Sequence, residues 1–239
     1  LMSSYIKCVK TIKKFHLIKD DTMKINWRNL RQFILILSEN EKNIFIQEEE
    51  RRLKLENTNF KPRVGDNLEL CKLNNIPIKE RVIEKYINPY EDDWEWRYYK
   101  ALFDIENNDT ERRREICINY LEGLECTNAY YTTGCKSWSW AYKYTYPPLL
   151  SDLSKYVPYF DTIFIQKNTE AVSPLVQLSY VLPRESLDLL PNKLFRLLIN
   201  DKPDWYKNCS EFQWAYCRYF WESHAILPEI DINELKIGR

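Results

Sequence analysis

The chain has 239 residues, 44% apolar and 29% charged, and its 35 basic and 35 acidic residues leave a formal net charge of zero. That length can bury a substantial core and suits one large domain or two small ones. The neutral balance excludes bulk attraction to nucleic acid or to an acidic membrane, so any basic surface must be local.

In chain order, residues 5–19, "YIKCVKTIKKFHLIK", place Ile6, Val9, Ile12 and Phe15 near helical spacing among five lysines. The pattern predicts a packed amphipathic helix with lysines on its wet side; a basic helix that binds membrane or nucleic acid is the other reading. The strongest helical pattern follows. Asn26 is placed to cap it, and Trp27, Leu30, Ile34, Leu37 and Ile44 share one face. Its end, Gln47 to Glu56, is nearly all charge, and pairs such as Glu48 with Arg52 suit a solvated helical extension. Residues 57–92 hold three prolines, a glycine and many asparagines, with one short helical candidate at Lys79–Tyr86, and predict an irregular excursion. Helices are expected over Arg97–Ile105 and from Asp109 or Thr110, the second with a stripe of Ile116, Cys117, Tyr120, Leu121 and Leu124.

After Pro148 the prolines punctuate short helices. Ser173-Pro174 pairs a cap with a first turn, and Pro183 and Pro191 separate "PLVQLSYVL", "RESLDLL" and "NKLFRLLI". Asp231 with Glu234 resembles a capping box. There is no sustained period-two alternation, internal repeat or low-complexity tract. The expected fold is mainly α: an irregular multi-helix domain with Pro-punctuated short helices and long loops. A single domain is expected over 1–239, divided into a long helical segment (1–56), the excursion (57–92) and an aromatic-rich helical part (93–239).

Little in the sequence suggests catalysis. The glycines Gly65, Gly123, Gly134 and Gly238 lie too far apart for a Walker or Rossmann phosphate loop. Seven cysteines without a C-x-x-C pair, and only His16 and His224, read as free thiols of a reducing compartment rather than zinc ligands or disulfides. No apolar run reaches the roughly 18 residues of a membrane span. The N-terminus lacks the continuous apolar stretch of a signal peptide. The acids of "EDDWEW", Glu91, Asp92, Asp93 and Glu95, read as a helix N-terminal charge cluster rather than a Mg²⁺ site. No Ser/His/Asp or Cys/His arrangement can be assembled.

The aromatic residues are the outlier. Of 35, fifteen fall between Tyr86 and Tyr146. Trp138, Trp140, Tyr142, Tyr144 and Tyr146 alternate with period two, so an extended segment would aim all five rings to one side. That side is either a wall of core or a platform on which nucleobases stack.

The stretch "YLEGLECTNAYYTTGCKSWSWAYKYTYPPLLSDL", residues 120–153, resembles the segment "YLEGLxW…YY…G…SWSWxYxYHYxPxxSD" of the Xrn family of 5′→3′ exoribonucleases. "INWRNLRQFILILSENEKNIF", "SPLVQLSYVLPRESLDLLP" and "FWESHAILPEIDINEL" are similar to further family blocks in the same order, so the resemblance spans most of residues 5–235. Two positions depart: Thr145 stands where the family has His, and Cys126 where it has an aromatic. Residues 57–92 depart most.

The resemblance implies the helical C-terminal part of an exoribonuclease that degrades single-stranded RNA carrying a 5′ monophosphate. It implies Mg²⁺ held by acidic residues of an N-terminal catalytic domain, the last of them in a "GNDFLP" stretch expected ahead of Leu1. No catalytic or metal-binding residue is expected in these 239 residues, and the chain alone is expected to be inactive. RNA binding is expected at Trp140 first, then Trp138, with Tyr142 and Tyr144 beside them. The expected partners are that RNA and the catalytic domain, with no membrane and no small-molecule cofactor. The expected location is the cytoplasm, because no basic nuclear-import run occurs, with the nucleus as the other possibility. The rival reading is a non-catalytic structural or RNA-binding module from a truncated gene.

Overall fold

The computed structural model describes every residue except 59–61, 63, 64, 66, 169, 210, 238 and 239. Gly238 and part of the excursion therefore lie outside the described residues. As expected, the chain is mainly helical. Among the described residues no helix is long and apolar enough to cross a membrane.

Helix α1, Met2–Thr11, packs on α2, Trp27–Ser38. The face it buries is offset from the expected one. Cys8 and Phe15 are buried with Phe33 and Ile36, and Tyr5 and Ile12 pack beside them, whereas Ile6 and Val9 are exposed. Counted as a small apolar residue, Cys8 shifts the stripe and resolves the discrepancy. The Asn26 side chain accepts a hydrogen bond from the Asn29 N–H at 3.2 Å, which is the cap read from the sequence. Phe33 and Ile36 face α1, while Trp27 and Ile34 enter a second cluster, so α2 is buried on two sides.

The long helix expected after Asn26 is two helices. It ends at Ser38, and α3, Glu41–Glu56, starts after Asn40 leaves helical geometry at φ −116°, ψ 12°. The break puts the Glu41 carboxylate against the first N–H groups of α9, Leu150–Tyr156, accepting from Leu150 at 2.5 Å and Ser151 at 3.0 Å. At the other end of α9, Arg31 of α2 donates to the carbonyls of Ser154 and Val157. An acid at the N-terminus and a base at the C-terminus both complement the helix dipole, which helps hold a helix too short to be stable alone.

The charged end of α3 is the helical extension expected, with Glu50, Arg51 and Lys54 solvated, but its other face is covered. The excursion contributes α4, Leu68–Asn74, α5, Ile76–Lys79, and α6, Val82–Ile87, and the chain returns against α3. Arg52, 2% exposed, donates to Glu48 at 2.8 Å, to Glu84 at 3.0 Å and to the Cys217 carbonyl at 3.0 Å. Arg81 donates to Glu84 at 2.5 Å and also reaches Glu49 and Glu56. Arg52, Arg81 and Glu84 are buried, and with half-buried Glu48, Glu49 and Glu56 they are paired and multiply hydrogen-bonded, the condition under which ions can be held away from water. They tie α3, α6 and the 214–217 segment together. Helical spacing could not reveal this, because it shows only partners on the same helix.

The aromatic half begins with α7, Trp94–Phe103, and α8, Thr110–Thr132, which Asp109 caps by accepting from the Arg112 N–H at 3.0 Å. Trp94, Tyr98, Tyr99 and Leu102 of α7 pack with Ile116 of α8, Tyr146 and Leu149. Cys117 and Leu121 of α8 join Trp27 and Ile34 of α2 and Leu153 of α9. Helices α10, Pro174–Val181, α11, Asn192–Asp201, and α12, Ile232–Ile237, form a third cluster around Leu187 and Leu198. Ser173 does precede α10 but makes no side-chain cap, and "RESLDLL" is a 3-10 turn, Arg184–Leu189. The strands β1, Phe212–Gln213, and β2, His224–Ala225, pair antiparallel with Phe212 opposite Ala225.

Candidate nucleic-acid interface

Helix α8 is the floor of the candidate site. Past its end Gly134, at φ 104°, turns the chain back, and residues 137–146 run along the helix. Asn119 fixes the return by accepting from the Lys143 N–H at 2.9 Å. One turn further along α8, Glu122 accepts from the Trp140 indole N–H at 3.1 Å and from the Asn119 amide at 2.7 Å. Gly123 lets the ring lie on the helix. A Cβ there would stand 2.8 Å from Cη2 of Trp140 and 3.4 Å from Cζ2.

The two sequence motifs, "EGL" on the helix and "SWSW" on the returning segment, are therefore one structural unit. Sequence reasoning missed Glu122 and Gly123 as its supports. The available signal was a glycine inside a long helical pattern, which often marks close packing.

Four of the five alternating rings face inward as an extended segment predicts: Trp140, Tyr142 and Tyr144 are half-buried and Tyr146 is buried, while Ala141, Lys143 and Thr145 between them are exposed, and Trp138 departs. Trp138 is 55% exposed, whereas Tyr146 is 5% exposed and packs at 5.3 Å from His224. Between them, Trp140 lies on α8, and Tyr142 contacts Tyr120 edge-on at 5.7 Å and Tyr144 at 5.6 Å. Tyr144 also reaches Phe103 at 5.8 Å. The Tyr142 hydroxyl donates to the Tyr146 carbonyl at 2.7 Å, and burial pushes both phenols well above their ordinary range. Residues 138–146 make no strand pairing among the described residues, so no sheet enforces the alternation. Local packing sets it instead, with Trp138 exposed at one end and Tyr146 buried at the other.

Trp140 and Tyr142 border a groove of about 560 Å³, closed on the far side by Leu17, Ile18 and Leu30 and floored by Leu124. Among the described residues none that lines it is charged. The nearby Lys136 is already committed: it donates at 2.5 Å to Glu125, whose other oxygen accepts from the Phe164 and Ile165 N–H groups. Cys126 is half-buried, and burial raises its thiol.

The acids of "EDDWEW" do not converge. Glu91 accepts from the Asn88 side chain at 2.9 Å, and Asp93 opens α7 at φ 61°. Among the described residues no group of three or more His, Cys, Asp or Glu is placed to hold a metal ion.

Comparison with known proteins bears on this arrangement. The Xrn1 helical domain family matches residues 71–237. The chain is 36% identical over 152 residues to the 5'-3' exoribonuclease 2 homolog of Caenorhabditis elegans, covering 62% of this chain and 15% of that protein. It is 32% identical over 156 residues to 5'-3' exoribonuclease 2 of Gallus gallus, covering 64% and 16%. To 5'-3' exoribonuclease 1 of Schizosaccharomyces pombe it is 31% identical over 176 residues, covering 70% and 13%. The chain thus spans about one-sixth of the length of these curated relatives or less. Because α7, α8 and the whole Trp138–Tyr146 return lie within the matched range, the chain belongs to the Xrn1 helical domain family.

Proposed function

We propose that the chain is the helical part of a 5′→3′ exoribonuclease that degrades 5′-monophosphorylated single-stranded RNA, buttressing the active site and stacking RNA bases. The observation that carries the reading is Trp140, which is braced by Glu122 and Gly123 yet borders an open groove, in a chain whose curated relatives are named 5'-3' exoribonucleases. A ring fixed before the ligand arrives loses little freedom on binding. Base stacking on an aromatic ring contributes about 1–3 kcal/mol and tolerates any sequence. Trp138, more exposed, would follow as a second ring, with Tyr142 and Tyr144 as backing.

In this reading the acids that hold Mg²⁺ belong to the catalytic domain. There the metal would activate water and polarise the phosphate. The uncharged groove lining implies that this face touches bases and leaves the phosphates to other surfaces.

The test is Trp140→Ala in an enzyme that contains this part together with its catalytic domain. Single-strand affinity or processivity should fall several-fold while the melting temperature changes little. Unchanged affinity and turnover with a lowered melting temperature would return Trp140 to the core. The purified 239 residues should show no Mg²⁺-dependent digestion of 5′-phosphorylated RNA. A second reading, a non-catalytic structural module, draws support from the same uncharged groove. Under it, the Trp140 variant would leave RNA turnover untouched.

A further inference from the structure

A second aromatic arrangement lies outside the expected site. Tyr219 and Trp221 stack nearly parallel, 13° apart with centroids at 5.9 Å, and the Arg218 guanidinium carbon sits 4.6 Å from the centroid of the Tyr219 ring. The stacked phenol and indole form a short column, with the cation against the phenol. Trp221 at its outer end is 73% exposed, although an indole normally gains by burial. The intervening Phe220 turns the other way, meeting Phe212 at 5.1 Å and Trp214 at 6.4 Å. The turn Phe220–Glu222 therefore turns one ring inward against Phe212 and Trp214 and leaves the other in solvent.

The backbone that presents the column is fixed. The Glu222 carboxylate accepts from the Arg218 N–H at 2.6 Å and the Tyr219 N–H at 3.3 Å. The Ser223 N–H bonds the Phe220 carbonyl at 2.9 Å. At the base of the turn, Cys217 and Tyr216 are anchored through their carbonyls to buried Arg52. An exposed, preorganised ring with a flat face is well suited to a planar ligand.

We propose that Tyr219 and Trp221 form a second stacking platform, separate from the Trp140 groove, which takes a nucleobase of single-stranded RNA on the outer face of Trp221. Single-stranded nucleic acid binders join aromatic faces to positive charge in this way, with Arg adding a cation–π contribution. The inference rests on the RNA reading above for its ligand, and on the column's geometry for its place.

The test uses the full 239-residue chain and a labelled oligouridine, followed by fluorescence anisotropy. Trp221→Ala should weaken binding by roughly 5- to 150-fold, the range expected for loss of one stacked base. Trp221→Phe should recover part of it. Because the ring is exposed, neither variant should shift the melting temperature appreciably. An oligomer of equal length with abasic riboses should bind weakly and equally to wild type and both variants. Photo-cross-linking of the wild type with 5-iodouridine oligomers should label Trp221 or Tyr219. Wild-type affinity in Trp221→Ala, with cross-links confined to the Trp138–Tyr144 segment, would overturn the platform and leave the RNA reading standing. Absence of single-strand binding by the wild type would overturn the platform, while the RNA reading stands or falls separately with Trp140→Ala in the enzyme that contains the catalytic domain. Loss of self-association without change in RNA affinity would reassign the column to a protein contact and refute the platform.

Discussion

Gly123→Ala on α8 sets two effects of known sign against each other. In a helix interior, alanine in place of glycine ordinarily stabilises by about 0.5–1 kcal/mol, through reduced freedom of the unfolded chain. Here the new Cβ would lie 2.8 Å from Cη2 of Trp140, inside any contact that real Cβ atoms make. The indole is rigid, and its N–H is tied to Glu122, so relief means moving the whole ring and lengthening a 3.1 Å bond. Overpacking of this kind costs about 1–3 kcal/mol. The net expectation is destabilisation of about 0.5–2 kcal/mol despite the favourable propensity. The decisive assay is a double-mutant cycle by urea unfolding. With Trp140→Ala in the background the clash is gone, and Gly123→Ala should now stabilise by about 0.5–1 kcal/mol. Equal stabilisation in both backgrounds would refute the account, because it would mean that Trp140 swings away freely and is not braced.

Glu84→Ala removes a partner of both Arg52 and Arg81, and of the Tyr216 N–H at 2.8 Å, leaving buried cations short of charge; a loss of about 3 kcal/mol is expected in urea unfolding. A loss below about 1 kcal/mol would show that Glu48, Glu49 and Glu56 suffice. Hydrogen bonding from Lys85, opposed by burial, holds the Glu56 carboxyl below its ordinary value of about 4.5, so its stabilisation is present above that pH and is lost as pH falls through the folded value. The stability gap between wild type and Glu56→Gln should accordingly close on acidification below about pH 4.5, and a gap constant with pH would count against the pairing. Burial pushes the Cys117 thiol up to about 12, so native protein at pH 8 should resist iodoacetamide there, and modification should follow the unfolding rate. Rapid native alkylation of Cys117, read by peptide mass spectrometry, would contradict its place between α2 and α9.

Much of the local structure was legible because it depends on neighbours in sequence. Asn26 and Asp109 cap the helices they precede, Pro174 occupies a first turn, and the stripe through Ile116, Cys117 and Leu121 is the buried face of α8. The motif resemblance led to the family that the comparisons support. The failures share a cause. Ile6 and Val9 are exposed, one face of Gln47–Glu56 is covered, and Trp138 stands apart from the other four rings, because each outcome depends on neighbours that a segment's own periodicity does not contain. Arg52 is buried by α6 and residues 214–217, which are distant in sequence. Glu41 caps α9 from 109 residues away.

Of the candidate site, the sequence supplied Trp138, Trp140, Tyr142 and Tyr144 as names, and the tertiary structure distinguished their environments. The amino-acid order by itself determined a mainly helical chain, its helix starts and stops, and its kinship, since these follow from backbone hydrogen bonding and motif content within short windows. Only the folded chain decided which charges lost their water, which glycine made room for an indole, and which rings kept a face open, because burial is a property of what lies opposite and not of what lies adjacent.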